Sequence, residues 1–219
     1  MLTIKKINLL KSLPKTKRNI YKRKKLKNKK IMKEAQKFGK LYFDGPREYG
    51  YGGYINDGRW LKVAQDIIKF YKLKPNNKVL DIGCAKGFLV ESFNDLKIDA
   101  YGIDISSYAI GKSNSKLKKK LFVGNALSLP FKDNFFDLVL SINTIHNLEK
   151  PDCILALKEI MRVSKKHRFI QVDSYYSQKQ KKLFENWVLT AKYHDYPDEW
   201  RKLFKIANYK GNYYWTILQ

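Results

Sequence analysis

The order of patterns along the chain predicts an α/β protein: a doubly wound, mostly parallel sheet flanked by helices, with a basic helical arm at the N-terminus. Three observations predict it. Short apolar runs alternate with amphipathic helical stretches from Leu61 onward, as in strand–helix–strand units. The stretch Lys78 to Val90, KVLDIGCAKGFLV, sets a strand buried on both faces before a small-residue turn that enters a helix. About 20 residues later, Tyr101-Gly-Ile-Asp104 supplies a second strand ending in an acid, the spacing at which such a unit presents a carboxylate to a ligand.

Each element follows from its local pattern. Ile31, Ala35 and Phe38 suit a helix laying one face on the domain, and Leu61, Ala64, Ile67, Ile68 and Tyr71 form the apolar side of another. Val79, Leu80 and Ile82 form the first strand, Phe88 to Leu96 the first crossover helix, and Ala100 to Ile103 the second strand. Tyr108 to about Lys116 reads as a short helix, Leu121 to Gly124 as the third strand, and Leu138 to Ile142 as the fourth. Cys153 to Val163 is helical and Arg168 to Val172 is the fifth strand. Gln178 to Phe184 reads as helix, and Trp187 to His194 is compatible with strand or helix. A helix from Asp198 to Ala207 begins after Pro197, and Tyr213 to Leu218 is a last strand. The divisions expected are a basic arm over 1–40, a glycine- and aromatic-rich lid-like loop over 41–60, and a ligand-binding domain over 61–219.

Composition bounds the reading. A chain of 219 residues, 44% hydrophobic, suits one domain with a sizeable core. The formal net charge is +25, and residues 1–40 hold 16 Lys or Arg against the single acid Glu34, a net of +15. That arm is either a solvated lysine-rich helix or a nucleic-acid contact that releases counterions from phosphates. Lysine is abundant throughout, including Lys116 and Lys118 to Lys120, which favours the first. Two cysteines do not make a disulfide framework, no apolar run reaches about 18 residues, and lysines interrupt the apolar cluster at the start. A cytoplasmic protein without a membrane span is expected.

The turn separates two cofactor classes. Dinucleotide sites pack a pyrophosphate on G-x-G-x-x-G. Here Gly83-Cys-Ala-Lys-Gly87 is shorter, and Asp81 lies just before it, where an acid repels a pyrophosphate and attracts an ammonium. The stretch resembles motif I of the class I (Rossmann-like) S-adenosylmethionine-dependent methyltransferases. Asp104, the segment Gly124 to Phe131, the strand Phe135 to Asn143 and the helix Lys158 to Val163 match that family in order over roughly residues 60 to 175. The domain resembles the methyltransferase type 11 group. Ala85 departs from the family's central glycine, and such a turn is expected to survive if its torsions avoid the left-handed region.

The resemblance implies S-adenosyl-L-methionine as cofactor and a transferase that needs no metal. Asp81 is expected to meet the ammonium, with Gly83, Cys84, Ala85 and Gly87 bordering the methionine moiety. Asp104 is expected on the ribose hydroxyls beside Ile105, Asn125 and Ala126 on the adenine, Asn125 through its carbonyl, and Ser141 at the fourth strand. His146, at a strand end on the ligand side, is the candidate general base. Tyr49, Tyr51, Tyr54 and Arg59 of the aromatic loop, together with Asn143, Asn147, Asp173 and Tyr175 at strand ends, are candidate acceptor contacts. No Asn-Pro-Pro-Tyr motif follows the fourth strand, which disfavours a base-amino methyltransferase. The expected activity is methylation of a small molecule such as a sugar or lipid precursor. The alternatives are a macromolecular enzyme guided by the basic arm, with RNA as its substrate, or a cofactor-binding protein without catalysis.

Overall fold

The computed structural model describes residues 4–14 and 18–218. The parts of the expected arm at 1–3 and 15–17, and residue 219, lie outside the described residues. Helices α1 (Ile20–Leu26), α2 (Lys29–Ala35), α3 (Lys40–Asp44) and α4 (Arg59–Tyr71) precede the sheet. There follow β1 (Lys78–Ile82), α5 (Phe88–Asp95), β2 (Asp99–Asp104), α6 (Ser107–Gly111), β3 (Leu121–Val123) and β4 (Phe136–Ile142). The last are α7 (Lys150–Val163), β5 (Ser164–Asp173), α8 (Gln178–Trp187), α9 (Pro197–Ile206) and β6 (Asn212–Thr216). The strand order is β3-β2-β1-β4-β5-β6 and every pairing is parallel.

Alternation along the strands builds two core layers. Val79 of β1, Leu138 and Leu140 of β4, and Phe169 of β5 face α4 and α5, where Val63, Ala64, Ile67, Val90 and Phe93 are buried. Leu80 and Ile82, Val139, and Ile170 and Val172 face α7 and α9, against Ala156, Leu157, Ile160 and Trp200. The strands are therefore covered on both sides, as a parallel sheet requires. Side chains of Asn19, Asn28, Ser106 and Ser177 cap their helices, and prolines open α7 and α9, where the missing N–H costs nothing.

The N-terminal segment is built into this body. Ile7 N–H donates to Tyr213 O at 2.9 Å and Tyr213 N–H to Lys5 O at 3.1 Å, a parallel bridge that covers the β6 edge. Leu9 and Leu10 join the α4/α5 core, and Ile31 and Ala35 of α2 pack on Leu189. Lysines at 22, 24, 25, 29, 30 and 33 remain exposed. The arm is thus a clasp with a solvated outer face. The lid-like stretch also differs from a simple loop: α3 takes residues 40–44, and α4 starts at Arg59. From Val188 to Tyr196 the chain is neither strand nor helix, because α8 ends at Trp187 and the following segment folds back over the sheet's carboxyl end.

Candidate functional site

A crevice of about 290 Å³ lies at the carboxyl ends of β1, β2 and β4, where the strand order reverses. Its floor is Ile82, Gly83, Ala85, Ile103, Asp104, Ile105, Gly124, Asn125 and Ala126, and its far side Ile142, Asn143, Thr144, Asn147 and Leu148. The remaining wall comes from Gln36 to Phe38, Tyr42, Phe43 and Tyr51 of the N-terminal segment, together with Thr190 and Lys192.

The β1 turn is shaped for close approach. Gly83 has φ +79°, and a Cβ there would overlap the Thr144 side chain. Gly87, with φ +80°, starts α5 against Leu121. Ala85 corrects the sequence expectation: its φ is +52°, inside the left-handed region. What holds it there is its own N–H, which donates to Asp104 Oδ2 at 2.8 Å. Asp104 Oδ1 accepts from Ser106 N–H at 2.8 Å, so the carboxylate is fixed by two backbone donors and keeps lone pairs toward the crevice. Burial raises its pKa, offset in part by these two N–H groups.

Asp81 behaves differently. It is 6% exposed and makes no hydrogen bond among the described residues. Burial, and then the charge of Asp104, push its pKa up to about 7. A buried carboxylate with no donor is costly unless a cation completes it. An ammonium is such a cation, and among the described residues none pairs with Asp81, which lies near Asp104 but just outside the crevice lining. On these grounds the residues fit a cofactor with an amino acid end and a ribose.

Of the other expected cofactor residues, Ile105 is 58% exposed at the crevice rim, an apolar surface suited to the face of a base, with Asn125 and Ala126 beside it. Asn125 Oδ1 accepts from Leu127 N–H at 3.0 Å, which leaves one lone pair of its carbonyl and its amide NH₂ to meet a ligand. Cys84 and Ser141 are buried outside the crevice lining, and Ser141 Oγ has no partner.

The expected acceptor residues divide. Tyr51, Asn143 and Asn147 line the crevice, and Asn147 Oδ1 is buried without a partner. Tyr49 packs on the Ile31, Ala35 and Leu189 cluster, and Tyr54 stacks on Phe88 at 4.9 Å, so both support the wall from behind. Arg59 turns away at the start of α4, with Nε 2.7 Å from Asp57 Oδ1. Tyr175 is buried, its hydroxyl 3.2 Å from His194 Nδ1.

His146 is a structural hub. It is 4% exposed and absent from the crevice lining. Its Nδ1 accepts from Asp173 N–H at 3.2 Å, and its carbonyl accepts from Lys192 and Tyr193 N–H at 3.0 and 3.1 Å. Burial lowers its pKa, partly offset by the Asp173 carboxylate, whose own pKa burial raises. The His146 carbonyl pins the 188–196 segment over the sheet, while the imidazole holds the end of β5 through the Asp173 N–H.

The part of the wall from 36 to 38 was not foreseen, whereas Tyr42 and Phe43 fall in the lid-like stretch expected over 41–60. Phe38 has φ +49°, and its carbonyl accepts from Ser106 Oγ just after β2. Lys86, in the cofactor turn itself, is buried and donates to both Asp44 carboxylate oxygens at 2.7 and 2.8 Å and to Tyr54 O at 2.8 Å. Tyr108 OH also donates to Asp44, at 2.8 Å. Burial raises Asp44, but these hydrogen bonds outweigh it and hold the carboxyl below its usual range. The clasp is thereby locked to the turn. A lysine between two turn residues was the one available sequence signal.

Known proteins agree with this geometry. The family profile described as "Methyltransferase domain" (Methyltransf_11) matches residues 80–170. An uncharacterised protein of Methanocaldococcus jannaschii is 39% identical over 102 residues, 45% of this chain and 41% of that protein. The demethylmenaquinone methyltransferase of Geobacillus kaustophilus is 32% identical over 121 residues, 51% of this chain and 50% of that one. The chain thus spans about half the length, or less, of these curated relatives. A solved S-adenosylmethionine-dependent methyltransferase from Archaeoglobus fulgidus shares the fold, with a TM-score of 0.56 and 18% identity over 68% of this chain and 69% of that one. Residues 80–170 are thus similar to a methyltransferase domain of the type 11 group, and the sheet around them has the fold of that solved S-adenosylmethionine-dependent methyltransferase.

Proposed function

We propose that the protein transfers a methyl group to a small-molecule acceptor by direct displacement. The observation that carries this is the buried, donor-free Asp81 carboxylate beneath a crevice whose opposite corner is the fixed carboxylate of Asp104. When bound, the cofactor supplies an electrophilic methyl carbon on a sulfonium.

The chain's own part is alignment and exclusion of water. Asp81 would neutralise the ammonium, the Gly83–Ala85 backbone would pass beside the amino acid end, and Asp104 would take the ribose hydroxyls. Ile105 and Ala126 would cover the adenine. Phe38, Tyr42 and Tyr51 would close the crevice from above, keeping the reacting atoms dry. Burial raises the Tyr42 pKa, so its hydroxyl serves as a hydrogen-bond donor and not as a base. Asn147 Oδ1 would accept a hydrogen bond from the acceptor. Since His146 lies outside the lining, the reading assigns no side chain as base, and the methylated acceptor would lose its proton to solvent only after it leaves the closed crevice.

A small acceptor suits the crevice, which the clasp roofs, and agrees with the acceptor class of the demethylmenaquinone relative. A macromolecular acceptor is the second reading, favoured by the exposed lysines of α1 and α2. Calorimetric titration with S-adenosylmethionine and, separately, NAD tests the first step. Micromolar binding of the sulfonium alone is expected, weakened at least about tenfold by Asp104→Ala, a loss on the order of 1.4 kcal/mol. Binding of NAD alone would overturn the reading.

A further inference from the structure

Three of the chain's arginines converge on one ring. The guanidinium carbons of Arg18, Arg23 and Arg47 lie 5.7, 4.8 and 5.4 Å from the centroid of Trp187. Arg23 Nη1 donates to Glu48 O at 2.8 Å, and Arg23 Nη2 and Arg47 Nη1 share the carbonyl of Gly50. Two cations therefore face each other across a single oxygen.

Among the described residues, none of the three has an acidic partner, whereas Arg59, Arg162 and Arg201 each do. Burial, then Arg47, lowers the proton affinity of Arg23, and burial with Arg18 lowers that of Arg47. The grouping also runs against the chain's composition. Of 45 basic residues only seven are arginine, so a patch made by general lysine bias would be built of lysine. Arginine differs in presenting a planar fork that stacks on aromatic rings and holds an oxyanion through paired N–H groups. Arg23 is 7% exposed and fixed, while Arg18 and Arg47 are exposed and keep free donors.

The four residues lie outside the crevice lining, and the cluster is bonded to the crevice wall from its outer side. Arg47 Nη1 donates to Tyr51 O at 3.0 Å, and Tyr51 lines the crevice. Trp187 is three residues before Thr190, which also lines it. The charge of Arg18 is felt at Asp173, at the carboxyl end of β5.

We propose that Arg18, Arg23 and Arg47 around Trp187 form an oxyanion subsite, and that the methyl acceptor is a small molecule bearing a phosphate or carboxylate group held there. This rests on the methyltransferase reading for the word acceptor, though not for the site itself.

The test titrates inorganic phosphate, and separately acetate, into the full chain saturated with S-adenosylhomocysteine, at constant ionic strength, followed by calorimetry and tryptophan fluorescence. Millimolar binding of at least one anion is expected, and the stronger of the two identifies the group. Arg47→Gln and Arg18→Gln, both at exposed positions, should each weaken it at least about fivefold, a loss on the order of 1 kcal/mol. S-adenosylhomocysteine affinity should stay within about twofold. Arg23→Lys keeps the charge but loses the fork, and should weaken the anion and also lower the melting temperature, since Glu48 O and Gly50 O lose their Arg23 donors. S-adenosylhomocysteine binding with no anion binding, or anion binding that neither glutamine variant weakens, would overturn the subsite. Anion binding through the arginines without S-adenosylhomocysteine binding would sustain the subsite and sink the methyltransferase reading instead. Homopolymer RNA that displaces the phosphate and loses affinity steeply with salt would replace the small molecule with a nucleic acid and overturn the proposal.

Discussion

Asp81→Asn separates cofactor affinity from stability, because the same carboxylate serves one and harms the other. With its pKa at about 7, Asp81 in the ligand-free protein is about nine tenths protonated at pH 6 and about one tenth at pH 8. An ammonium pairs with the ionised form, and an α-amino group of ordinary pKa is only about a third to a half ammonium at pH 8, so S-adenosylmethionine should bind roughly three- to fivefold more tightly at pH 8 than at pH 6. Cys84 and Tyr54 share this environment, but burial raises both, so they stay neutral across that range. The stability effect has the opposite direction. The folded-state pKa lies above the unfolded one, so the group's contribution is complete below about pH 4 and is lost as pH rises through about 7. A shift of roughly three units bounds that loss at about 4 kcal/mol, and relaxation of Asp104 brings the expected figure to about 2–4. Asparagine keeps the shape without the charge. The variant should therefore bind the cofactor at least about tenfold more weakly at pH 8, and its affinity should show no gain from pH 6 to pH 8. Its ligand-free melting temperature should rise by at least about 4 °C at pH 8 and hardly at pH 4. Calorimetry and thermal unfolding at the three pH values measure both. Equal affinity at pH 6 and 8 in the parent, or a variant that binds as tightly as the parent, would refute the assignment of Asp81 to the ammonium.

Other substitutions probe the rest of the site. Gly83→Ala meets the left-handed torsion and the Thr144 side chain together, costing about 2–4 kcal/mol of stability and most cofactor affinity; denaturant unfolding and calorimetry read these. His146→Ala should leave cofactor affinity within about twofold, yet cost about 1–3 kcal/mol by stranding the Asp173 N–H; a large loss of turnover at unchanged stability would return His146 to catalysis. Lys86→Met leaves Asp44 without its ammonium and unlocks the clasp from the turn. Hydrogen exchange over residues 36–54 should quicken, and the cofactor should bind several-fold more weakly; unchanged exchange would show that the clasp holds without this lysine.

What the sequence made legible follows the range of the forces involved. Burial of β1 on both faces, the turn at Gly83 and the carboxylates of Asp81 and Asp104 are written within about 25 residues, where strand period and turn chemistry leave few alternatives. The family profile covers that same region, residues 80–170. The crevice wall from Gln36 to Tyr51 was less legible, because its place is set by contacts that span long stretches of chain. Ile31 and Ala35 pack on Leu189, Lys86 bonds Asp44, and Ser106 bonds the carbonyl of Phe38. A lysine-rich composition pointed to an exposed outer face, which the lysines of α1 and α2 have, and was silent about the inner one.

Ala85 and His146 show how a local rule is overridden. Alanine disfavours a positive φ by about 1–2 kcal/mol, a cost that argues against it in this turn if only neighbours in sequence are weighed. A hydrogen bond from its N–H to the buried Asp104 carboxyl, about 1.5–3 kcal/mol when that group is ionised, offsets the strain, and that acceptor lies 19 residues away. The turn therefore keeps its shape with alanine in place of glycine. His146 is the converse case: a strand-end histidine has a chemical use at the crevice, but the backbone N–H of Asp173 and the N–H groups of Lys192 and Tyr193 claim its ring and its carbonyl. In both residues the outcome is decided by which partner the fold delivers, and the same logic makes Asp81 informative, since it is the buried carboxylate to which the fold delivers none.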